Sequence, residues 1–504
     1  MSAIFDHGPP PPCPAPFNLA AYVLGRAQTL GGKTALSVVS PDGAEHWSYA
    51  RLEAAVRGAA SGFLTHGLRP GDRLLMRLGN SVDFPICYLA ALAVDIVPVP
   101  TSSLLTAPEV TKLAADISPR LIVAEAGLAL PAEPPCPVLP ATAMRAMSDL
   151  PPAAYAMGDP DRPGYIVYTS GTSGLPRAVT HAHRAIWARR MMWEGWYGLE
   201  EIDRLLHAGA FNWTYTLGTG LLDPWTHGAT ALIPGQGVTP DDLGRLMQEH
   251  DATIFAAAPA IYRRLLRTPL PPLAQLRHGL SAGEKLPDAT RAAWDTATGT
   301  PVHEAFGMSE CSTFVSGAPA HPAPPGTLGY PQKGRRVAVL GGDGPVDFGA
   351  PGILSVSWRD PGLMLGYWGE EDQTRRRFQG EWFLTGDLVS MAEDGALTYL
   401  GRDDDMINAG GVRVSPIEVE TALNAHPAIL ESAAAEVSVK ADTTVIAAFY
   451  VANAPVETDD LENFVARRLA RYKCPRIYTR VTALPKGPNG KLLRRRLREG
   501  YEET

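Results

Sequence analysis

Short apolar runs alternate with longer helical stretches from about residue 17 to residue 400, and this alternation limits the fold more than any other feature of the chain. A helical run at 84–94 leads into the apolar run IVPVP. Other strand-like runs are DRLLMRL (72–78), RLIVAE (120–125), ATALIP (229–234) and ATIFAAAP (252–259). Strands separated by helices favour parallel βαβ sheets, so we predict a large N-terminal domain with two βαβ-type subdomains.

The pattern changes after about residue 325, where glycines punctuate short strand-like runs such as RVAVL and GILSVSW. Closely spaced strands of this kind predict a small antiparallel sheet or β-barrel. The charged, glycine-bearing segment 401–415 indicates a domain junction, and Pro416 suits the first turn of a helix. We therefore predict an α/β multidomain protein, with an N-terminal domain at 1–400 and a small α+β domain at 401–504.

Composition and charge argue against several classes of protein. The net charge is −8, whereas proteins that bind nucleic acid usually carry a basic excess. The five cysteines form no CxxC pair, and their odd number excludes a fully paired disulfide framework. The N-terminus lacks the layout of a signal peptide, and the longest apolar run, 84–94, is too short to span a bilayer. We expect a soluble cytoplasmic protein with no nucleic-acid or membrane partner.

A loop rich in glycine and hydroxyl residues follows the apolar run at 165–168. The loop reads TSGTSGLPR over 169–177, and its N–H groups and hydroxyls can converge on a phosphate chain. It is not a GxxxxGK[ST] loop, because no lysine followed by serine or threonine closes it. A flexible Ser/Gly connection is the alternative, and composition alone leaves the two interpretations equal.

The string TSGTSGLPR resembles the signature loop of the adenylate-forming superfamily, which includes acyl-CoA synthetases, peptide-synthetase adenylation domains and luciferases. Five further segments similar to the family's motifs follow in the family's order, so the resemblance covers essentially the whole chain. One departure is Arg177, which stands where the family usually has lysine; arginine keeps the charge but has a planar fork. The resemblance implies that the loop binds the phosphates of ATP through Thr169, Ser170, Gly171, Thr172 and Ser173.

Two central segments resemble the family's nucleotide-binding motifs. SAGEKLP, at 281–287, is similar to the stretch that walls the adenine pocket, which implicates Gly283 and Glu284. EAFGMSE, at 304–310, resembles the aromatic-Gly-x-Ser/Thr-Glu motif. The resemblance implies that Phe306 stacks on adenine, that Ser309 touches the α-phosphate and that Glu310 helps to hold Mg²⁺.

Three later segments complete the series. WFLTGD ends at Asp387, which matches the family's ribose-binding aspartate, and Arg402 matches the arginine that contacts ribose and phosphate. Asp404 aligns with the hinge about which the small domain turns. LPKGPNGK resembles the C-terminal lysine loop, which implies that Lys491 bridges the acid's carboxylate and the α-phosphate.

Two more segments bear on the acid and the acceptor. AFNWTYTLG, at 210–218, and ARYKCPR, at 470–476, are similar to stretches of benzoate–CoA ligases. The resemblance implies a compact pocket for an aryl or small cyclic acid, with a short or medium-chain fatty acid as the alternative. The implied pocket residues are Trp213, Thr214, Tyr215, Met308 and Cys311. The resemblance also implies that rotation of the mobile C-terminal domain brings the CoA-binding residues into place. These residues are Gly410, Gly411, Arg413, Tyr472, Lys473 and Arg476.

The resemblance therefore implies an AMP-forming acid–thiol ligase that uses ATP, Mg²⁺ and coenzyme A. Such an enzyme converts a carboxylic acid and ATP into an acyl-adenylate and pyrophosphate, and then forms acyl-CoA and AMP. One alternative is a freestanding adenylation enzyme that loads an acyl carrier protein. A remote alternative is a catalytically inactive adenylate-binding protein. The sequence leaves a homodimer open.

Overall fold

The computed structural model describes residues 2–169, 177–409, 412–440, 443–487 and 492–502. The chain divides into two compact units. The larger unit comprises Asp6–Arg336 and Ser357–Glu381, and the smaller one Met1–Phe5, Val337–Val356 and Trp382–Thr504. Among the described residues, no helix combines the length and the apolar character that a membrane span requires.

A nine-stranded sheet is the largest sheet of the larger unit. Six neighbouring strands are parallel, and antiparallel strands flank them at both edges. ATALIP and ATIFAAAP supply two of the parallel strands, which confirms the predicted βαβ pattern. In spatial order the strands are Tyr330–Pro331, Ser312–Ser316, Val302–Met308, His278–Ala282, Ile254–Ala257, Arg204–Ala208, Thr230–Pro234, Thr34–Ser40 and Gly43–Ser48.

Two smaller sheets complete the strands of the larger unit, apart from the short strand Phe378–Gln379. The four-stranded sheet is parallel and contains the three N-terminal runs predicted as strands, DRLLMRL, IVPVP and RLIVAE. Its strands are Val97–Pro100, Arg73–Arg77, Leu121–Ala124 and Val138–Pro140. The three-stranded sheet is antiparallel and consists of Gly366–Tyr367, Arg177–Ala182 and Pro163–Thr169.

Helices of the larger unit bury their apolar faces in a core shared by Tyr49–Thr65 and Asp83–Ala93. The first of these helices is capped by Ser48, whose hydroxyl accepts a hydrogen bond from the backbone N–H of Arg51. Short π-helical segments are Trp193–Tyr197 and Gly218–Leu222, and Met147–Asp149 is a 3₁₀ turn. The α-helices are Leu19–Val23, Ala27–Leu30, Tyr49–Thr65, Asp83–Ala93, Ala107–Ile117, Ala141–Ala146, Ala185–Ala188, Thr214–Leu217, Asp223–His227, Leu243–Glu249, Pro259–Leu265, Asp288–Thr298 and Glu371–Arg375.

The smaller unit contains the antiparallel strands expected after residue 325. Strands Ile4–Asp6, Arg336–Gly341, Pro351–Ser357 and Trp382–Met391 follow one another in space. Gly344–Pro345 pairs with the second of them and Leu397–Arg402 with the fourth. Two further sheets comprise Ile407–Ala409 with Val412–Val414, and Ile429–Lys440, Thr443–Ala452 and Ile477–Arg480.

Helices and strands alternate in the last hundred residues, as the α+β prediction requires. Pro416 occupies the first turn of its helix, as predicted. The helices are Pro416–Asn424, Thr458–Ala466 and Arg494–Glu502, and the 3₁₀ turns are Asp403–Asp405 and Arg471–Lys473. The smaller unit also takes in 337–356 and 382–400, which the sequence analysis assigned to the N-terminal domain. The domain boundary at 400/401 stays a prediction.

Candidate functional site

Parallel strands of the nine-stranded sheet end at one edge, and predicted site segments follow them. The register pairs Ala208 with Ala257, Ala257 with Ser281 and Ala282 with Ala305, so the strand ends are level. Ligand sites of open α/β sheets lie at the carboxyl ends of the strands. Arg204–Ala208 leads to 210–218, His278–Ala282 to Gly283 and Glu284, and Val302–Met308 to Ser309 and Glu310.

Trp213 and Gly283 are in direct contact at this edge. Gly283 has a φ of +100°, and a Cβ atom on it would lie 2.7 Å from Cζ2 of the Trp213 indole. Only glycine therefore combines this backbone conformation with room for the ring. The contact joins a residue assigned to the acid pocket with one assigned to the adenine wall.

Thr214 and Tyr215 follow Trp213 but have different surroundings. Tyr215 is buried, its hydroxyl donates to the carbonyl of Leu280 at 3.0 Å, and its ring meets the Trp213 ring edge-on at 5.3 Å. The Tyr215 hydroxyl is thus already bonded, and the ring supports the indole. Thr214 lines a small cavity.

The strand that carries Phe306 is distorted next to that residue. The register with Ser312–Ser316 shifts between Phe306 and Gly307, and a Cβ atom on Gly307 would lie 2.2 Å from the carbonyl oxygen of Ser312. The irregularity changes the direction of the strand before Met308 and Ser309. The Phe306 ring lies half-buried, edge-on to Phe314 with 5.7 Å between centroids.

Glu310 is held by Tyr367, a residue that the sequence analysis did not identify. The Tyr367 hydroxyl donates to Oε1 of Glu310 at 2.7 Å. Burial and the neighbouring Glu310 carboxylate raise the pKa of Tyr367, so the hydroxyl stays protonated and remains a donor. The guanidinium of Arg177 lies 5.3 Å from the centre of the Tyr367 ring. Tyr367 therefore links the end of the phosphate loop to the predicted metal ligand.

Ser309 is held by a hydrogen bond from His181, which lies on the strand Arg177–Ala182 that follows the phosphate loop. Its carbonyl accepts a hydrogen bond from Nε2 of His181 at 2.7 Å. Burial lowers the pKa of His181 to about 4, so the ring is neutral near pH 7. Thr169 and Arg177, on either side of the loop, are paired across the two strands.

Arg189 and Asp223 form a buried ion pair. Nη2 of Arg189 lies 2.6 Å from Oδ2 of Asp223, and the Tyr197 hydroxyl donates to the same oxygen at 2.7 Å. Arg189 also donates to the hydroxyl of Ser312. Burial opposes the charge on Arg189, but the Asp223 carboxylate raises the pKa of the guanidinium, which stays charged. Nothing in the sequence pattern indicated this pair, because hydropathy alone predicts that both residues are exposed.

Cys311 is fully buried beside a second ion pair. Its sulfur lies 3.8 Å from Oδ1 of Asp360, and Arg335 is paired with that same carboxylate. Burial raises the pKa of the Cys311 thiol well above its usual range. The assignment of Met308 and Cys311 to the acid pocket stays a prediction.

Asp387 and Arg402, in the smaller unit, are brought together by pairing of their strands. The register places them opposite each other, with Nη1 of Arg402 3.1 Å from Oδ2 of Asp387. The Tyr399 hydroxyl donates to Oδ1 of Asp387 at 3.0 Å. The carboxylate predicted to bind ribose is thus buried and fixed by two neighbours.

The predicted hinge and CoA residues also belong to the smaller unit. Asp404 lies in the turn Asp403–Asp405, Arg413 in Val412–Val414, and Tyr472 in Arg471–Lys473. Lys473 is paired with Glu418 at 2.5 Å, and Arg476 is exposed. The predicted residues that lie outside the described part of the chain are Ser170, Gly171, Thr172, Ser173, Gly410, Gly411 and Lys491.

Family models match most of the chain. A model described as AMP-binding enzyme matches residues 25–368, and one described as AMP-binding enzyme C-terminal domain matches residues 418–491. The chain is 32% identical to a benzoate–CoA ligase of Thauera aromatica, over 98% of this chain and 99% of the relative. It is 31% identical to a 4-hydroxybenzoate–CoA/benzoate–CoA ligase of Rhodopseudomonas palustris, over 97% of this chain and 96% of the relative.

Solved structures agree with these matches. A benzoate CoA ligase from Burkholderia xenovorans LB400 aligns with a TM-score of 0.85 and 29% identity, over 96% of this chain and 100% of that one. The anthranilate CoA ligase AuaEII in complex with anthranoyl-AMP aligns with a TM-score of 0.87 and 25% identity, over 97% and 98% of the two chains. The predicted fold class and the resemblance stated from the motifs are both confirmed.

Proposed function

Because the chain belongs to the AMP-binding enzyme family, we propose that it is an acid–CoA ligase that acts on an aryl acid. The single observation that carries the proposal is the level strand edge followed by the segments predicted to bind the acid (210–218), the adenine (Gly283 and Glu284) and the α-phosphate (Ser309). The named activities of the relatives support the acid class, since they activate benzoate and hydroxybenzoate.

The reaction proceeds in two balanced steps. A carboxylate oxygen of the acid attacks the α-phosphorus of ATP, and the bond to the leaving pyrophosphate breaks. The sulfur of CoA then attacks the acyl carbon, AMP leaves with the carboxyl oxygen, and the thiol proton is released. The first step brings two anions together, so positive charge must be concentrated at the α-phosphate. We assign this role to Lys491 and to the N–H groups and hydroxyls of the loop that begins at Thr169.

The residues present fit a magnesium ion. Oε1 of Glu310 is occupied by Tyr367, and the second oxygen has no partner among the described residues. The described residues hold no cluster of three metal-ligating side chains, which suits Mg²⁺ because this ion usually binds one or two carboxylates together with substrate phosphates. Glu310 would hold the ion, whose charge stabilises the triphosphate when it is bound.

The C-terminal residues fit the second step. In our proposal the domain at 401–504 turns about Asp404, which withdraws Lys491 and presents Gly410, Gly411 and Arg413 to the thiol. Tyr472, Lys473 and Arg476 would then contact the CoA nucleotide, whose phosphates attract cations. Transfer to a carrier protein, a homodimeric assembly and a cytoplasmic location stay predictions; all five cysteines are free, which supports the cytoplasm.

Pyrophosphate release with a panel of aryl, cyclic and fatty acids, each with and without CoA, tests the proposal. We expect CoA-dependent turnover centred on aryl acids. Adenylate formation that free CoA fails to turn over, combined with transfer to a carrier protein, would assign the carrier-loading function instead. Turnover confined to fatty acids would overturn the aryl assignment.

Replacing Tyr367 with phenylalanine tests the support of Glu310. The hydroxyl is bonded to a carboxylate, and loss of such a hydrogen bond corresponds to roughly a 10-fold change in an equilibrium constant. We expect the Mg²⁺ concentration for half-maximal pyrophosphate release to rise about 10-fold, with a smaller change in kcat at saturating Mg²⁺. The control is Tyr478→Phe, which removes a buried hydroxyl of the smaller unit. An unchanged Mg²⁺ dependence would show that Tyr367 does not position Glu310.

A further inference from the structure

A small cavity is lined by Thr214, which is predicted to line the acid pocket, and by Ser309, which is predicted to touch the α-phosphate. Its volume is about 20 Å³, which is room for a water molecule or a substituent of similar size. Its lining includes the polar residues His181, Tyr88 and Arg189, together with Tyr165, Thr214, Ser309 and Ser312. The cavity is thus too small for an alkyl chain but matches a single small group.

One wall of the cavity provides a hydrogen-bond acceptor. Nε2 of His181 faces the Ser309 carbonyl, which can only accept, so Nε2 must carry the proton. The ring is neutral, as its lowered pKa shows, and Nδ1 therefore has a lone pair. Nδ1 is buried and has no partner among the described residues, although buried polar atoms are nearly always bonded.

A second unpaired group lies on the same wall. Tyr88 is fully buried, and its hydroxyl has no partner in the described part of the chain. The Tyr88 ring lies 5.9 Å from that of Tyr165, which in turn stacks on the His181 ring at 4.9 Å. The three rings form one continuous packed surface of the cavity, so the acceptor and the hydroxyl are both held in place.

The charge on the lining is already neutralised. Arg189 is bound by Asp223 through two of its nitrogens, so it offers no unpaired cation to an anionic substituent. A cationic substituent would be repelled by the same guanidinium, and the Asp223 carboxylate is already paired with Arg189. A neutral polar group is therefore favoured over a carboxylate or an ammonium.

We propose that this cavity recognises a hydroxyl or amino substituent on the ring of the aryl acid, with His181 Nδ1 as the acceptor. The inference rests on the proposed function, because Thr214, a predicted residue of the acid pocket, also lines the cavity. A hydroxyl can pair with either unpaired group, since it can donate to Nδ1 or accept from the Tyr88 hydroxyl. His181 and Tyr88 are specificity-determining residues in this scheme.

Comparison of hydroxybenzoates with fluorobenzoates tests whether the cavity recognises a hydrogen-bonding substituent. Fluorine is close to a hydroxyl in size but cannot donate, so it leaves Nδ1 unpaired. We expect kcat/KM for pyrophosphate release to be roughly 10- to 100-fold higher with the hydroxybenzoate than with the fluorobenzoate at one of the three ring positions. Equilibrium binding of the same acids in the presence of a non-hydrolysable ATP analogue should show the same order.

Variants assign the preference to the two residues. His181→Leu should reduce the hydroxy/fluoro ratio to near one, and His181→Gln should restore part of it, because the amide has both a donor and an acceptor. Tyr88→Phe should lower the ratio by a smaller factor. His303→Leu is the matched control, since His303 is another buried histidine, placed beside His278 with 5.4 Å between the ring centroids.

The outcomes separate the inference from the function on which it rests. Pyrophosphate release with benzoate but equal kcat/KM for hydroxy and fluoro acids at every position would overturn the inference alone. The same holds if the wild-type preference survives in His181→Leu. No release with any aryl acid would overturn the proposed function and the inference with it. Because the wild-type comparison needs no variant, the test stands even if a substitution prevents folding.

Discussion

Lys491→Ala is expected to slow pyrophosphate release by roughly 100- to 1000-fold, while a supplied acyl-adenylate is still converted to the thioester within a few-fold of the normal rate. The loss follows from the chemistry of the first step, in which two anions meet and one preorganised cation offsets their repulsion. Thioester formation has no such encounter, because the acyl-adenylate already carries a leaving group. The two half-reactions should therefore respond separately to one substitution.

Lys486→Ala provides a matched control for this experiment. Lys486 belongs to the same predicted loop motif, but it is paired with Glu431. Loss of a partly exposed pair of this kind changes stability by at most about 1 kcal/mol, so the control should retain both half-reactions. Equal loss of both half-reactions in Lys491→Ala would contradict the assignment of Lys491 to adenylation alone.

Acidification from about pH 7 to pH 5 is expected to lower the stability of the larger unit by several kcal/mol. Burial lowers the pKa of His207 to about 3 and those of His181, His278 and His303 to about 4. The unfolded chain takes up these protons near pH 6.5, whereas the folded unit does not, so stability is lost as the pH falls below 6.5. Each histidine contributes about 2 kcal/mol at pH 5. Burial raises the pKa of Glu304 to about 7, which acts in the opposite direction and offsets about one histidine.

Calorimetric melting at pH 7, 6 and 5 measures this dependence. His207→Gln should reduce the slope of stability against pH by up to about 1.4 kcal/mol per pH unit below pH 6.5. His321→Gln serves as the control, because His321 is exposed. A melting temperature that does not change between pH 7 and pH 5 would show that these histidines take up protons in the folded unit as readily as in the unfolded chain.

Sequence reasoning succeeded where a pattern repeats over a short distance. The runs RLIVAE and ATALIP are apolar because parallel strands are covered on both faces, and both form strands. The resemblance placed Phe306, Ser309 and Glu310 in one segment. The structure adds that this segment lies level with the segment that carries Trp213.

Contacts between distant residues were beyond the reach of the sequence. Tyr367 and Glu310 are 57 residues apart in the chain, and His181 and Ser309 are 128 residues apart. The periodicity of a short segment therefore cannot predict either contact. A tyrosine or a histidine on a short strand is usually part of the core. Only the fold shows that Tyr367 donates to a carboxylate and that His181 has an unused nitrogen.

The Arg189–Asp223 pair restricts how the acid specificity of this chain can change during evolution or in the laboratory. Replacing either partner alone leaves a buried charge uncompensated, which costs about 3–5 kcal/mol. Selection would eliminate variants with a single substitution at Arg189 or Asp223, because they fold poorly, before any new substrate preference could be selected. Altered specificity behind Thr214 must therefore arise through paired substitutions, or from the uncharged wall of Tyr88 and His181. Libraries that vary Arg189 and Asp223 together will reach sequences that stepwise mutagenesis does not.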